Sequence, residues 1–187
     1  MLNLSSNHSF SNSQTAKPII WSIAASNTLG DDGIHADSLT IQDLGGHACQ
    51  VITAVTKQNA EITADIAPKS SKLMINQLNY FLNGLMPSAI KIGMLINAEQ
   101  FQLINQWLET VLAEHQQKHK LNIPIIWDPA MASASETSLT FVKDKPTVHD
   151  YLCLAKQVTL ITLNEYQLKQ LANMCKSEDV SSQSAIE

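Results

Sequence analysis

The residues that could do chemistry in this chain sit just past short apolar runs. Five such places are Ala25-Ser26-Asn27, Gln58-Asn59, Gly93-Met94, Asp128-Pro129 and Thr162-Leu163-Asn164. Open α/β sheets bind ligands outside the carboxyl ends of parallel strands, so small and polar strand ends along one edge can converge on one small molecule. Loops after strands are also polar simply because they face water, so each position alone says little. Gly30-Asp31-Asp32-Gly33 places two glycines before a helix. Such a turn can hold an anion on backbone N–H groups, but two aspartates between the glycines work against a phosphate there. The spacing is neither that of a Walker loop nor that of a Rossmann fingerprint. Asp37 falls in the first turn of the helix that follows. It either complements the positive end of the helix dipole or faces a pocket and accepts hydrogen bonds from a ligand amine or hydroxyl.

Other candidates point away from catalysis. His115 and His119 are four apart on a long helical stretch, a spacing that can bind a metal. No HExxH accompanies them, and their Gln/Lys-rich surroundings read as a solvated face, so no metal ligand is assigned. Cys49, Cys153 and Cys175 are far apart, odd in number and free of CxxC spacing; they read as reduced, mostly buried thiols of a cytoplasmic protein. Trp21, Trp107 and Trp127 read as core residues, two inside strands and one on an amphipathic helix.

The elements that must position the five strand ends alternate along the chain. Ile19 to Ala25 and Cys49 to Val55 read as buried strands, joined by a helix from about Ile34 to Leu44 that offers Ile34, Leu39 and Ile41 to the core. Glu61 to Ile66 alternates as an edge strand or flap. Pro68 stands where a helix can start, and Leu73, Leu78, Phe81 and Leu82 give that helix an apolar stripe. Strand Ala89 to Ile92 precedes a helix from Ala98 to about His119, on which Phe101, Ile104, Leu108, Val111 and Leu112 share a face. Strand Ile123 to Trp127, a Ser/Thr-rich loop at Ala132 to Thr140, helix Val148 to Ala155 and strand Val158 to Thr162 come next. A helix from Asn164 to about Met174 follows, and Ser181 onward has the look of a further element that the sequence does not complete. Strands alternating with helices predict βαβ units, right-handed crossovers and a mainly parallel sheet.

At 187 residues, with 44% hydrophobic and 16% charged residues, the chain is one ordinary domain or part of a larger one. A net charge of −5 argues against a nucleic-acid footprint. No apolar run approaches the roughly 20 residues of a membrane helix. Residues 1–17, rich in Ser and Asn, read as a disordered tail rather than a secretory signal, with a single partial domain over 18–187.

Five segments together carry a resemblance: Ile23 to Asp37 (IAASNTLGDDGIHAD), Val51 to Asn59 (VITAVTKQN), Ile90 to Leu95 (IKIGML), Trp127 to Met131 (WDPAM) and Leu160 to Asn164 (LITLN). In order and nearly in spacing they resemble the hydroxymethylpyrimidine/phosphomethylpyrimidine kinases of thiamine biosynthesis, members of the ribokinase-like superfamily. The match covers about Pro18 to Ala172, and VITAVTxQN followed by KIGM is its most specific part. The resemblance implies an α/β three-layer sandwich with a mainly parallel sheet, lacking the C-terminal part. It implies ATP- and Mg2+-dependent phosphorylation of hydroxymethylpyrimidine and then of its monophosphate. It implies a small aminopyrimidine as partner, with neither nucleic acid nor membrane, and a homodimer among relatives. The substrate-binding residues it implies are Gln58, Asp37, Met94, Ala25 and Ala130. Gln58 matches the glutamine that reads the aminopyrimidine, since an amide can pair with both a ring nitrogen and an exocyclic amine. Met94 matches the methionine that packs on the ring. Asn164 and Gln167 match positions near nucleotide and phosphate.

The chain also departs from that pattern. The family's GSDSSGGAGIQAD is here ASNTLGDDGIHAD, with Ala25 for a glycine, Asn27 for an aspartate, and Asp31 and Asp32 for a glycine and an alanine. Gln167 stands where the family has a glutamate, and the turn after Asp128 lacks the family's lysine. Nothing matches the family's GTGC-type anion hole, so no catalytic residue is assigned in this chain, which is expected to be an incomplete or shortened form. The alternative expectation is a non-catalytic, degenerate relative serving as a ligand-binding or interaction module. A third keeps the superfamily with another substrate such as pyridoxal, against which the pairing of Gln58 with KIGM argues.

Overall fold

Apolar runs too short to be helices, separated by amphipathic stretches, fold here as one mainly parallel sheet with helices packed on both faces. The computed structural model describes residues 17–58, 63–129 and 144–184. In chain order the elements are β1 (Ile19–Asn27), α1 (Gly33–Asp43), β2 (His47–Gln58), β3 (Thr63–Pro68), α2 (Ser71–Leu82) and β4 (Ala89–Ile92). They continue with α3 (Ala98–Trp107), a π-helical turn (Leu108–Leu112), α4 (Ala113–His119), β5 (Ile125–Trp127), α5 (Val148–Ala155), β6 (Leu160–Ile161) and α6 (Glu165–Ser184). The six strands among the described residues are ordered β3-β2-β1-β4-β5-β6. Every pairing is parallel except that of β2 with the edge strand β3.

The two faces of the sheet differ. On one, Trp21, Ile23, Val51, Ile90, Ile92 and Trp127 form a continuous apolar core with Met74 and Leu78 of α2, Phe101 and Ile104 of α3, and Tyr151 and Leu154 of α5. Leu171 and Met174 of α6 pack against the same cluster. All three tryptophans are fully or almost fully buried there. Their rings contact other aromatic rings: Trp21 lies 5.4 Å from Phe81, and Phe101 lies 4.8 Å from Tyr151, which in turn meets Trp127. The opposite face carries α1 over a polar row, since Ser22 stands in register with Gln50 on β2 and Lys91 on β4. These layers make the α/β sandwich that the resemblance implies, around the mainly parallel sheet that the alternation predicts.

Several expected boundaries and faces are corrected. Pro68 ends β3 and does not start a helix; Ser70 caps α2, its hydroxyl accepting from Leu73 N. β2 runs on to Gln58 because the antiparallel hairpin with β3 extends it past the parallel part of the sheet. Leu39 and Leu73 are exposed, because α1 covers a polar row and Leu73 sits on the outer side of the first turn of α2. Val111 is exposed while Leu108 and Leu112 are buried: the wide π turn adds a residue and rotates the apolar stripe. Of the thiols only Cys49 is buried, and Cys153 and Cys175 are half-exposed. No new element begins at Ser181, since α6 runs through Ser184. The N-terminal tail and the Ser/Thr-rich loop lie outside the described residues.

Candidate functional site

The connection from β1 leads to β2 on one side, and the chain later returns to pair β4 on the other side of β1. The connections on either side therefore diverge above the carboxyl ends of β1 and β4 and leave a crevice, the usual ligand site of an open α/β sheet. The pocket found there is floored by Ala24, Ala25 and Gly93 and walled by Asn27, Asp32 and Gly33 on one side and by Thr56, Lys91, Met94 and Asp128 on the others. Two glycines permit this closeness. A Cβ on Gly93 would lie 2.9 Å from the Cβ of Ala24. A Cβ on Gly33 would lie 2.3 Å from the Ala25 carbonyl oxygen, and Gly33 also has φ +65°, which side chains disfavour.

The loop between Ala25 and Gly33 is held by its own polar groups. β1 slips register against β2 between Ala24 and Ser26, so the strand is re-aimed at the pocket edge. Asn27 Oδ1 accepts from Gly30 N at 2.6 Å, and Asn27 Nδ2 donates to Asp31 Oδ1 at 3.2 Å. Asp32 is the N-cap of α1, its Oδ1 accepting from Gly33 N at 2.6 Å. The first N–H of α1, beside the pocket, is thus already taken by a carboxylate of the chain itself.

Beneath the pocket lies an ion cluster that crosses three elements. Lys91 Nζ lies 2.6 Å from Asp37 Oδ1 and 3.3 Å from Asp128 Oδ2. Asp37 Oδ2 accepts from Ser22 Oγ at 2.5 Å. Burial alone would lower the Lys91 ammonium, but the hydrogen bond and charge of Asp37, with those of Asp128, outweigh it and hold Lys91 above the ordinary lysine range. Asp37 is not among the residues lining this pocket; its oxygens accept from Ser22 and Lys91, and Lys91 lines it. Ser38, next to Asp37, receives a hydrogen bond from Gln50 Nε2 and donates to Ile34 O, completing a polar layer under α1.

Met94 is placed by a second buried network. Thr53 Oγ1 donates to Met94 O at 2.6 Å. The fully buried Gln100 donates to Thr53 O at 2.8 Å and to Lys69 O at 3.2 Å, and its Oε1 accepts from Ile96 N at 2.9 Å. One amide thus ties β2, the β3–α2 connection and the segment after β4. The Met94 side chain packs against Ala25, Ala54, Ile66 and Ile96.

The remaining expected residues are spread further. Gln58 closes β2, with its backbone in register with Thr63; its side chain, like Ala130, lies outside what is described. Asn164 and Gln167 cap α6 reciprocally: Gln167 N donates to Asn164 Oδ1 at 2.8 Å and Asn164 N to Gln167 Oε1 at 2.9 Å. Gln167 Nε2 also donates to Pro129 O at 2.9 Å, which ties this helix start to the end of β5 beside Asp128. The rings of His115 and His119 lie 4.4 Å apart on α4, away from the pocket. Among the described residues, no three His, Cys, Asp or Glu side chains come together as a metal set. Ala24, Thr56 and Lys91 are the pocket residues that neither the strand ends nor the Gly30–Gly33 turn singled out. A lysine inside an otherwise apolar strand, Ala89–Ile92, was the available signal, since a charge in a buried strand needs a partner.

Residues 28–187 match the profile of a family described as phosphomethylpyrimidine kinase. The chain is 31% identical over 159 residues to a hydroxymethylpyrimidine/phosphomethylpyrimidine kinase of Synechococcus elongatus, covering 85% of this chain and 56% of that one. It is 29% identical over 169 residues to the thiamine biosynthesis multifunctional protein ThiED of Corynebacterium efficiens, covering 90% of this chain and 21% of the relative. Among solved structures, a phosphomethylpyrimidine kinase from Clostridium difficile 630 superimposes with a TM-score of 0.64 at 25% identity, over 84% of this chain and 63% of that one. A pyridoxal kinase from Staphylococcus aureus, solved with AMP-PCP, superimposes equally well (TM-score 0.64, 23% identity, 86% and 54% coverage) and shares the fold. The chain spans about half the length of that Synechococcus relative and a smaller share of the multifunctional protein.

Proposed function

The chain belongs to the phosphomethylpyrimidine kinase family, and from that premise we propose that it forms the substrate-reading part of a cytoplasmic, ATP-dependent kinase of thiamine biosynthesis. The substrates are hydroxymethylpyrimidine and its monophosphate. The observation that carries this reading is the shared pocket. The two segments most characteristic of the resemblance, Val51 to Asn59 and Ile90 to Leu95, contribute Thr56 from one and Lys91, Gly93 and Met94 from the other to a single crevice. An apolar wall made by Met94, with small Ala24, Ala25 and Gly93 as floor, suits a flat heteroaromatic ring.

In this reading Met94 packs on the pyrimidine and Gln58 pairs with its ring nitrogen and exocyclic amine. Lys91 holds Asp37 and Asp128 in fixed positions at the edge where the hydroxymethyl group enters. Preformed binding groups speed a reaction by fixing geometry before the chemical step. ATP is the phosphoryl donor when bound, and phosphoryl transfer rests on positioning and charge neutralisation. The described residues do not fit a Mg2+ site: Asn164 and Gln167 spend their amides on each other and on Pro129 O, and Asp128 is paired with Lys91. Phosphoryl transfer itself belongs to the protein as a whole.

Isothermal titration of the chain with hydroxymethylpyrimidine tests the reading. Saturable one-to-one binding is expected, weakened roughly tenfold or more by Gln58→Ala, the cost of losing buried hydrogen bonds to a ligand. Absence of binding, or binding that Gln58→Ala leaves unchanged, would overturn it.

A further inference from the structure

Away from the crevice, one pair of side chains with ligand-binding chemistry is brought together. His115 and His119 are one turn apart on α4 and so share a face of the helix. Their Gln/Lys-rich neighbours argue for a plain solvated face, and the structure adds what such a face does not need. The two rings lie 4.4 Å apart, tilted by 34°, against one another rather than spread into water. His115 Nε2 is buried and meets no hydrogen-bond partner. A buried polar atom without a partner costs free energy until something satisfies it. The end of the helix below the rings is pinned. Leu121 N donates to Gln116 O at 2.9 Å, Gln116 Oε1 accepts from Ile123 N at 2.7 Å, and Lys120 closes the helix with φ 54°. The backbone that carries both imidazoles is thus fixed before anything binds.

We propose that His115 and His119 form a chelating site for a divalent transition-metal ion of the zinc, nickel or copper(II) kind. The site is separate from the crevice and independent of the pyrimidine reading. Imidazole nitrogen suits these ions, whereas Mg2+ takes oxygen ligands. Once one ring has bound, the second bond is intramolecular, and the stiff helix sets a high effective concentration for the second ring. The last turn of a helix also carries the negative end of its dipole, which favours a cation. Lys118 in the same turn opposes it, so the site selects an ion that bonds to nitrogen over one held by charge alone. Among the described residues no third His, Cys, Asp or Glu joins the pair, and water completes the coordination. A bound ion ties successive turns of α4 together and stabilises the folded chain by mass action.

The test is a titration of the 187-residue chain with Zn2+, read by NMR from the ring signals of labelled histidines. The His115 and His119 signals are expected to shift together and to saturate with a single ion, while those of His35 and His47 stay still. Mg2+ at the same concentrations is expected to move none of them. His119→Ala is expected to weaken the binding seen at His115 by roughly tenfold or more, because a single imidazole remains. His115→Ala should do the same to the binding seen at His119. The His119 side chain is exposed, so its removal leaves the fold intact. Unmoved His115 and His119 signals would overturn the proposal, whether Zn2+ binds nowhere or at the His149–Cys153 contact of α5. Equal shifts with Mg2+, or a His115 affinity unchanged by His119→Ala, would overturn it as well.

Discussion

The two faces of one sheet have been put to different uses. Under α2, α3 and α5 the strands present Trp21, Ile23, Ile90, Ile92 and Trp127, and what they meet is apolar and aromatic. Under α1 the same strands present Ser22, Gln50 and Lys91, and what they meet is Asp37 and Ser38. The first face stabilises through area removed from water. The second satisfies hydrogen bonds and charges at the cost of desolvating them, which adds little net stability. Its placement directly below the crevice gives it another use: it fixes the charged floor of the pocket. Stability and recognition are therefore separable here, strand by strand, through the alternation of side chains.

Substitutions on the two faces should break the protein in different ways. The largest loss of stability is expected from Trp127→Ala, which empties a fully buried site in the aromatic cluster; roughly 3–5 kcal/mol should be lost in chemical denaturation. Gln100→Leu should cost roughly 3 kcal/mol, because it strands Thr53 O, Lys69 O and Ile96 N in a buried setting. It should weaken ligand binding as well, by loosening the segment that carries Met94. Lys91→Met should cost less, about 2 kcal/mol, since the pair it breaks is partly solvated, with side chains 23% and 13% exposed. Thr147→Ala, which removes the capping box of α5 far from the crevice, should cost about 1 kcal/mol and leave binding intact. A Trp127→Ala protein that stayed folded with full stability, or a Thr147→Ala protein that lost binding selectively, would dissolve the contrast between the faces.

The polar face should also show its own pH signature. Lys91 is protonated more firmly in the folded chain than in the unfolded one. Its contribution is thus fully present below the ordinary lysine value of 10.5 and is lost as pH rises through the raised folded value. The stability difference between the native chain and Lys91→Met should be flat from about pH 6 to 9 and shrink only as pH rises past the ordinary lysine value of 10.5. A difference that instead shrank between about pH 7 and 9 would place its origin elsewhere.

Much of this was legible in the sequence, and the particular failures share a cause. Ala89–Ile92 and Val148–Ala155 fall where the apolar pattern puts them, because a short apolar run and a Thr147/Asp150 capping box are local signals. The crevice itself followed from the strand ends, and Ala25 and Met94 do line it. What local pattern could not give is partnership across the sheet. Nothing local announces the partners of Asp37, which are Ser22, 15 residues away, and Lys91, 54 residues away. Leu39 looked like core for the same reason: nothing local says that α1 rests on a polar row. Val111 was misplaced by a π turn whose extra residue no periodicity announces.

The central claim is that the crevice between β1 and β4 reads a pyrimidine. It is tested most directly by methyl NMR of the chain carrying labelled methionines, titrated with hydroxymethylpyrimidine. Met94 lines the crevice, whereas Met74 is buried in the opposite core. The account predicts a saturable shift of the Met94 methyl with Met74 unmoved. An unmoved Met94 at concentrations that saturate binding, or equal shifts at both, would contradict it.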